Sequence, residues 1–76
     1  MKKTSVHNSI RKLRFEHGEM TQQQLAERIG VTRQTVVAIE KEKYSPSLDT
    51  AFRIAAVFRE PLEAVFSYAE GSAGTP

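Results

Sequence analysis

Two neighbouring side chains in the middle of the chain, Arg33 and Gln34, carry groups that can form paired hydrogen bonds with the edges of bases. A guanidinium can span the two acceptors of guanine, and a carboxamide can pair in the same bidentate way with adenine. The sequence offers no pairing of a nucleophile with a base, no glycine-rich phosphate loop and no cluster of metal ligands. These features predict a binding protein rather than an enzyme, with no cofactor, metal or small-molecule ligand.

The residues around this pair predict two capped helices joined by a tight turn. Thr21 can accept from the amide of Gln24 while the Gln24 side chain reaches back to the amide of Thr21, which is a reciprocal capping box. Thr32 offers a second N-cap, and Gly30 stands where the chain needs a left-handed residue on leaving the first helix. The pattern is that of a helix-turn-helix. Its two helices are predicted at about 22–29 and 33–41.

Apolar residues at helical spacing predict three further helices and no strand. The fold class expected is therefore all-α, a compact five-helix bundle. Gly18 ends the first helix, and Pro61 is the first residue of the last one. The first helix is predicted over about 8–17 with Val6, Ile10, Leu13, Arg14 and His17 on one face, and the fourth over about 48–58 with Leu48, Ala51, Phe52, Ala55 and Phe58 as its apolar stripe.

Length and charge indicate one small domain. The 76 residues can bury one modest core, and the net charge of +2 is uneven along the chain. Five basic residues stand against one acidic residue over 1–18, whereas two basic residues stand against four acidic ones over 45–76. The basic end is expected to attract polyanions. We expect a flexible basic N-terminus over 1–7, a folded domain over 8–68 and a disordered tail over 69–76.

Composition also bears on where the protein works. The sequence contains no cysteine, which excludes disulfides and thiolate metal sites. No apolar run approaches the length of a membrane span. We therefore expect a soluble, cytoplasmic protein with no membrane partner.

Taken in order, the motifs resemble the Cro/C1-type (XRE-type) transcriptional regulators of bacteria and phages. The resemblance covers roughly Ile10 to Phe66 and is closest to very small members that consist of the DNA-binding domain alone. It implies a lambda-repressor-like fold whose third helix lies in the major groove of double-stranded DNA, acting as a homodimer on an inverted repeat, usually as a repressor near the nucleoid. The motifs are Leu13-Arg14, Thr21-Gln22, Leu25-Ala26, Gly30 to Val36, Ile39-Glu40 and Tyr44 to Leu48.

The resemblance also implies roles for individual residues. Base edges would be read from the start of the third helix, and the sugar-phosphate backbone would be held by residues around it. A helix N-terminus presents open amides to an anion, which agrees with a phosphate contact at Gln22. The expected base-reading residues are Thr32, Arg33, Gln34 and Val37, and the expected backbone contacts are Gln22, Thr35, Lys41, Lys43, Arg11 and Lys12.

Two charged residues on otherwise apolar faces, Arg14 and Glu40, are expected from the resemblance to form a structural ion pair between the first and third helices. The alternative is that both side chains are solvated. For the dimer, the candidate interface residues are Val57, Phe66 and Tyr68, although apolar residues at the end of a small bundle also serve as core.

The sequence departs from the family pattern at several positions. Similar proteins usually carry glycine where this chain has Glu42, and often where it has Arg59, each at a helix C-terminus. A left-handed conformation at Glu42 would cost roughly 1 to 2 kcal/mol. Phe15 stands at a position that is commonly polar, so it is either a satellite of the core or an exposed anchor for a partner.

A second hypothesis is that the bundle is a protein-interaction module, such as an antitoxin or adaptor, for which DNA binding is secondary. Phe15 favours this hypothesis mildly. Arg33 and Gln34 argue against it, because a protein-docking face is usually built around apolar anchors.

Overall fold

The computed structural model describes residues 5–68 of the chain. Residues 1–4 of the expected N-terminal arm and the expected tail over 69–76 lie outside this part. Within it, the short fifth helix follows the fourth after a proline, and a short strand stands at each end. The elements are β1 (Val6–Asn8), α1 (Ile10–Glu16), α2 (Gln22–Ile29), α3 (Arg33–Glu40), α4 (Leu48–Phe58), α5 (Leu62–Val65) and β2 (Phe66–Tyr68).

One hydrophobic core lies beneath the helix pair α2 and α3. α2 packs against both α3 and α4, and α4 packs against α5. No charged or polar residue is buried among residues 5–68, so the burial is apolar throughout. The core cluster consists of Ile10, Leu13, Met20, Leu25, Ala26, Ile29, Val36, Ile39, Ile54, Ala55, Phe58 and Val65.

The predicted apolar stripe of α4 is wrong at two positions. Leu48 is 67% exposed and Phe52 is 54% exposed, whereas Ile54, which the prediction left out, is fully buried. The helix turns a narrow face with Ala51, Ile54 and Phe58 into the core. Leu48 and Phe52 lie on the flank of that face, one turn apart. α4 therefore carries two apolar stripes, and the periodicity of the sequence does not show which of them packs into the core.

The prediction of an all-α fold is wrong in that β1 and β2 form a small antiparallel sheet. The register sets Val6 opposite Tyr68, His7 opposite Ser67 and Asn8 opposite Phe66. Asn8 was expected to start the first helix, and Val6 and His7 to be part of a flexible arm. Strands of three residues are too short to show the alternation that predicts a strand. Their pairing also joins residues about sixty positions apart, which no local pattern encodes.

α1 is accordingly shorter than predicted and ends before His17. The His17 ring lies between two helix ends, with Nδ1 2.8 Å from the carbonyl oxygen of Leu13 and Nε2 3.1 Å from that of Phe58. The ring also contacts the Phe58 ring at a centroid distance of 5.1 Å. His17 therefore joins the C-terminal ends of α1 and α4 rather than extending the apolar face of α1.

The helix-turn-helix forms as its caps predict. Thr21 Oγ1 accepts from the amide of Gln24 at 3.0 Å, and Gln24 Oε1 accepts from the amide of Thr21 at 2.9 Å. Thr32 Oγ1 accepts from the amide of Thr35 at 3.2 Å and caps α3. Between the helices, Gly30 takes a left-handed φ of 78°. The capping box, the turn and the second cap together fix the angle between α2 and α3.

Three helices end with the same left-handed turn, but only α2 ends with glycine. Glu42 after α3 has a φ of 62°, and Arg59 after α4 has a φ of 57°. In each turn the amide of the next residue donates to a carbonyl five positions back, Lys43 to Ala38 and Glu60 to Ala55. These hydrogen bonds satisfy carbonyls that the helix end leaves open. They hold Glu42 and Arg59 in a left-handed conformation that glycine adopts more readily than other residues.

We expect Arg59→Gly to raise the free energy of unfolding by about 0.5–1 kcal/mol, because it removes Cβ strain that exceeds the backbone entropy of glycine. The Arg59 side chain is exposed and makes no hydrogen bond or ion pair within residues 5–68, so little is lost with it. Urea denaturation measures the change. Arg59→Ala is the matched control, since it removes the same side chain but keeps Cβ. An equal gain in both variants would contradict the strain explanation.

Candidate nucleic-acid interface

The first turn of α3 carries exposed hydrogen-bonding side chains. Arg33 and Gln34 are exposed, and neither side chain has a hydrogen-bond or ion-pair partner within residues 5–68. Val37 follows on the same face and is half-buried, whereas Val36 and Ile39 are buried on the other side of the helix. The apolar side of α3 thus holds the helix in the core and leaves the donors of its first turn open.

Thr32 and Thr35 have a local role in the same turn. The two hydroxyl oxygens are 3.0 Å apart and share a hydrogen bond, while Thr32 also caps the helix. Thr32 is exposed and Thr35 is half-buried. Whichever hydroxyl accepts in this pair keeps its own hydrogen for an outside acceptor. Their first function is to begin α3 at Arg33.

An open groove runs beside α3 and brings together residues from three helices. Arg11 and Lys12 of α1, Gln22 of α2, Arg33 of α3 and the following Lys41 all line it. These five belong to the set expected to contact nucleic acid. Acidic lining comes from Glu16, Glu19 and Glu40, of which Glu40 is paired. The unpaired basic side chains therefore give the groove a positive rim.

An ion pair between Arg14 and Glu40 also lines this groove. Arg14 Nε donates to Glu40 Oε2 at 2.7 Å, and Nη2 donates to Oε1 at 3.1 Å. Arg14 Nη1 donates in addition to the carbonyl of Met20 at 2.8 Å. The side chains are only 11% and 10% exposed. This bidentate contact ties α1 and the segment before α2 to the end of α3.

Gln22 joins the same cluster. Its Nε2 donates to Glu40 Oε1 at 3.2 Å, and the residue is half-buried. Because Gln22 is the first residue of α2, its own amide is one of the donors that a helix start leaves open. Glu40 therefore orients both the Arg14 guanidinium and the Gln22 carboxamide. Both side chains lie beside the groove near the start of α2.

The structure separates some of the other expected site residues. The expected residues that do not line the groove are Thr32, Gln34, Thr35, Val37 and Lys43. Of the candidate dimer residues, Phe66 and Tyr68 share a shallow apolar pocket with Val6 and Leu62. Val57 lies outside this pocket and packs on the core.

Asn8 is a positioning residue that sequence reasoning missed. Its Nδ2 donates to the carbonyl of Ile39 near the end of α3 at 2.9 Å, and its Oδ1 accepts from the amide of Ile10 at 3.1 Å. Beside it, His7 Nδ1 lies 3.0 Å from Glu42 Oε1. β1 therefore fastens the C-terminal end of α3. An asparagine two residues before a helix is a local signal for the Ile10 contact, but nothing local predicts the one to Ile39.

We expect Asn8→Ser to free the end of α3, since a serine hydroxyl can still accept from Ile10 but is too short to reach Ile39. Its affinity for a selected DNA site should fall several-fold, with a loss of unfolding free energy of about 1 kcal/mol. Fluorescence anisotropy well below the melting temperature measures the first effect and thermal denaturation the second. Asn8→Ala removes both contacts and serves as the comparison. A loss of stability with unchanged affinity would contradict the positioning role.

Two other kinds of site are absent from residues 5–68. No helix there is long and apolar enough to cross a membrane. In the same residues, no three histidine or acidic side chains are grouped so that they could hold a metal ion.

Comparison with known proteins places the whole helical region in one family. The helix-turn-helix family model matches residues 10–65. A protein of Methanothermobacter thermautotrophicus named "Uncharacterized HTH-type transcriptional regulator" is 55% identical over 65 residues, which is 84% of this chain and 93% of that protein. A Bacillus subtilis protein named in the same way is 48% identical over 61 residues, which is 80% of this chain and 91% of that one. Relatives thus occur in archaea as well as in bacteria.

A solved structure agrees with the fold. The structure described as that of "a putative DNA-binding protein from Bacteroides fragilis" matches with a TM-score of 0.70 and 22% identity, over 82% of this chain and 98% of that chain. At this identity the match concerns the fold alone. The family model and the sequence relatives show that the chain belongs to the XRE-type (Cro/C1-type) helix-turn-helix family of transcriptional regulators.

Proposed function

We propose that the protein is a sequence-specific DNA-binding repressor that inserts α3 into the major groove. The observation that carries the proposal is the pair of exposed, unpartnered side chains on the first turn of α3, Arg33 and Gln34, beside a groove with a positive rim. Side chains that can form bidentate hydrogen bonds on an exposed helix start suit direct readout of guanine and adenine. Thr32 and Val37 complete the base-reading surface, with the valine methyl groups directed to a thymine methyl.

The groove beside α3 is the proposed path of one sugar-phosphate strand. Arg11, Lys12 and Lys41 would neutralise phosphates along it, and the open amide at the start of α2 would donate to one more. Gln22 holds its position through Glu40. Thr35 and Lys43, which lie outside the groove, would meet the backbone on the other side of α3. Backbone contacts on both sides would fix the register in which α3 reads the bases.

We further propose that two copies bind together on an inverted repeat. The apolar pocket of Leu62, Phe66 and Tyr68 is the surface offered to a second copy, with Val57 supporting it from the core. Two-fold symmetry would set the two α3 helices about 34 Å apart, which is one turn of DNA. Occupation of a site by such a dimer excludes other proteins from the same DNA, which is how binding alone would repress.

Methylation interference on a bound duplex tests the docking of α3. A methyl group on guanine N7 blocks the major-groove acceptor that Arg33 would use. We expect interference at guanines in two half-sites about 10 base pairs apart, arranged symmetrically. Interference from minor-groove adenine methylation alone, with none at guanine N7, would contradict major-groove docking. Interference in a single half-site would contradict the dimer but leave the docking of α3 intact.

A further inference from the structure

Phe15 is an exposed aromatic residue that neither the core nor the proposed base contacts explain. It lies on α1 and is 55% exposed, so it is not a satellite of the core. Its ring lines the same groove as Lys12, Arg33 and Lys41. An aromatic ring at the wall of a groove with basic residues suits a partner that is both apolar and anionic.

Two guanidinium groups lie over the Phe15 ring. The guanidinium carbon of Arg11 lies 5.8 Å from the ring centroid, and that of Arg14 lies 6.0 Å from it. Arg11 is exposed and makes no hydrogen bond or ion pair within residues 5–68, whereas Arg14 is committed to Glu40. The contact with Arg11 holds ring and guanidinium side by side at the groove.

We propose that Phe15 is a DNA-contacting residue whose ring packs against a deoxyribose of the strand in the groove, next to the phosphate that Arg11 binds. This inference rests on the proposed function. The sugar-phosphate backbone has the required chemistry, since apolar sugar faces alternate with anionic phosphates along the strand. The contact would raise affinity without reading sequence.

The alternative occupant, a protein partner, is less compatible with this surface. Protein interfaces are built around clusters of apolar anchors in their desolvated centre. The other large exposed apolar residues lie on other elements, Tyr44 in the loop after α3, Leu48 and Phe52 on α4 and Tyr68 on β2. Phe15 instead has charged groove neighbours on α1, the basic Arg11, Lys12 and Arg14 and the acidic Glu16.

Binding of a selected duplex and of an unrelated duplex, measured by anisotropy over a series of salt concentrations, tests the proposal. We expect Phe15→Ala to weaken both complexes alike, by roughly fivefold to tenfold, from the apolar area lost. The dependence of log affinity on log salt should keep its slope, because no charge is removed. Phe15→Leu should retain most of the affinity. Lys12→Ala is the contrasting variant, and its slope should fall by about 1.

Phe52→Ala is the matched control, because Phe52 is 54% exposed and does not line the groove. It should leave the affinity of a single half-site unchanged. Normal affinity of Phe15→Ala, or an equal loss in Phe52→Ala, would overturn the sugar contact while the proposed function stands. Failure of the unaltered protein to bind either duplex would overturn the proposed function itself. Thermal denaturation of each variant verifies that it is folded.

Discussion

We expect Arg14→Ala to lower the free energy of unfolding by about 3–5 kcal/mol, the largest loss of any substitution proposed for this protein. The pair with Glu40 is nearly buried, and Glu40 would be left as an uncompensated charge with only Gln22 as a donor. The carbonyl of Met20 would also lose its donor. Natural domains have about 5–15 kcal/mol of stability in total, so this loss is a large fraction of it.

Urea denaturation with circular dichroism measures this loss. Arg11→Ala is the matched control on the same helix, because Arg11 is exposed and unpaired, and it should change stability by less than about 0.5 kcal/mol. The folded fraction of Arg14→Ala should keep the base preference of the unaltered protein, because the Arg14 guanidinium is engaged by Glu40 and by the carbonyl of Met20 rather than offered to bases. Unchanged stability in Arg14→Ala would refute the structural role of the pair.

The second large effect concerns Arg33. Arg33→Ala should weaken binding to the selected site by about 1–3 kcal/mol and relax the preference at one base position in each half-site. The fold should be unaffected, since the Arg33 side chain is exposed and makes no hydrogen bond or ion pair within residues 5–68. Competition binding against duplexes that vary at one position measures both effects.

Lys43→Ala is the control for Arg33→Ala, because Lys43 is also exposed but is expected to contact only phosphate. It should weaken all sequences alike and reduce the salt slope by about 1. If Arg33→Ala bound the selected site as tightly as the unaltered protein, the proposed docking of α3 would be wrong.

Local signals explain which parts of the fold the sequence predicts well. Thr21, Gly30 and Thr32 cap their helices through hydrogen bonds to residues at most four positions away. The sequence alone therefore predicts where α2 and α3 begin and end. Ser47 does the same for α4. The β1–β2 sheet depends instead on residues at opposite ends of the chain, and its strands are too short to show a period.

The same distinction applies to the candidate site. The polar start of α3 is visible in the sequence because Thr32 marks its cap and Arg33 and Gln34 follow. The hydrogen bond from Asn8 to the carbonyl of Ile39 is not visible in the sequence, because it joins positions 31 residues apart. Phe15 shows the opposite case. The sequence identified the residue as unusual, but only the fold brings it to the groove that Arg33 lines.

Selection of binding sites from a random duplex library, with purified protein at two salt concentrations, tests whether α3 reads a specific DNA sequence. We expect an enriched inverted repeat with half-sites about 10 base pairs apart, retained at the higher salt. Salt-sensitive retention with no enriched motif would mean attraction to the backbone alone and would contradict sequence-specific regulation through α3.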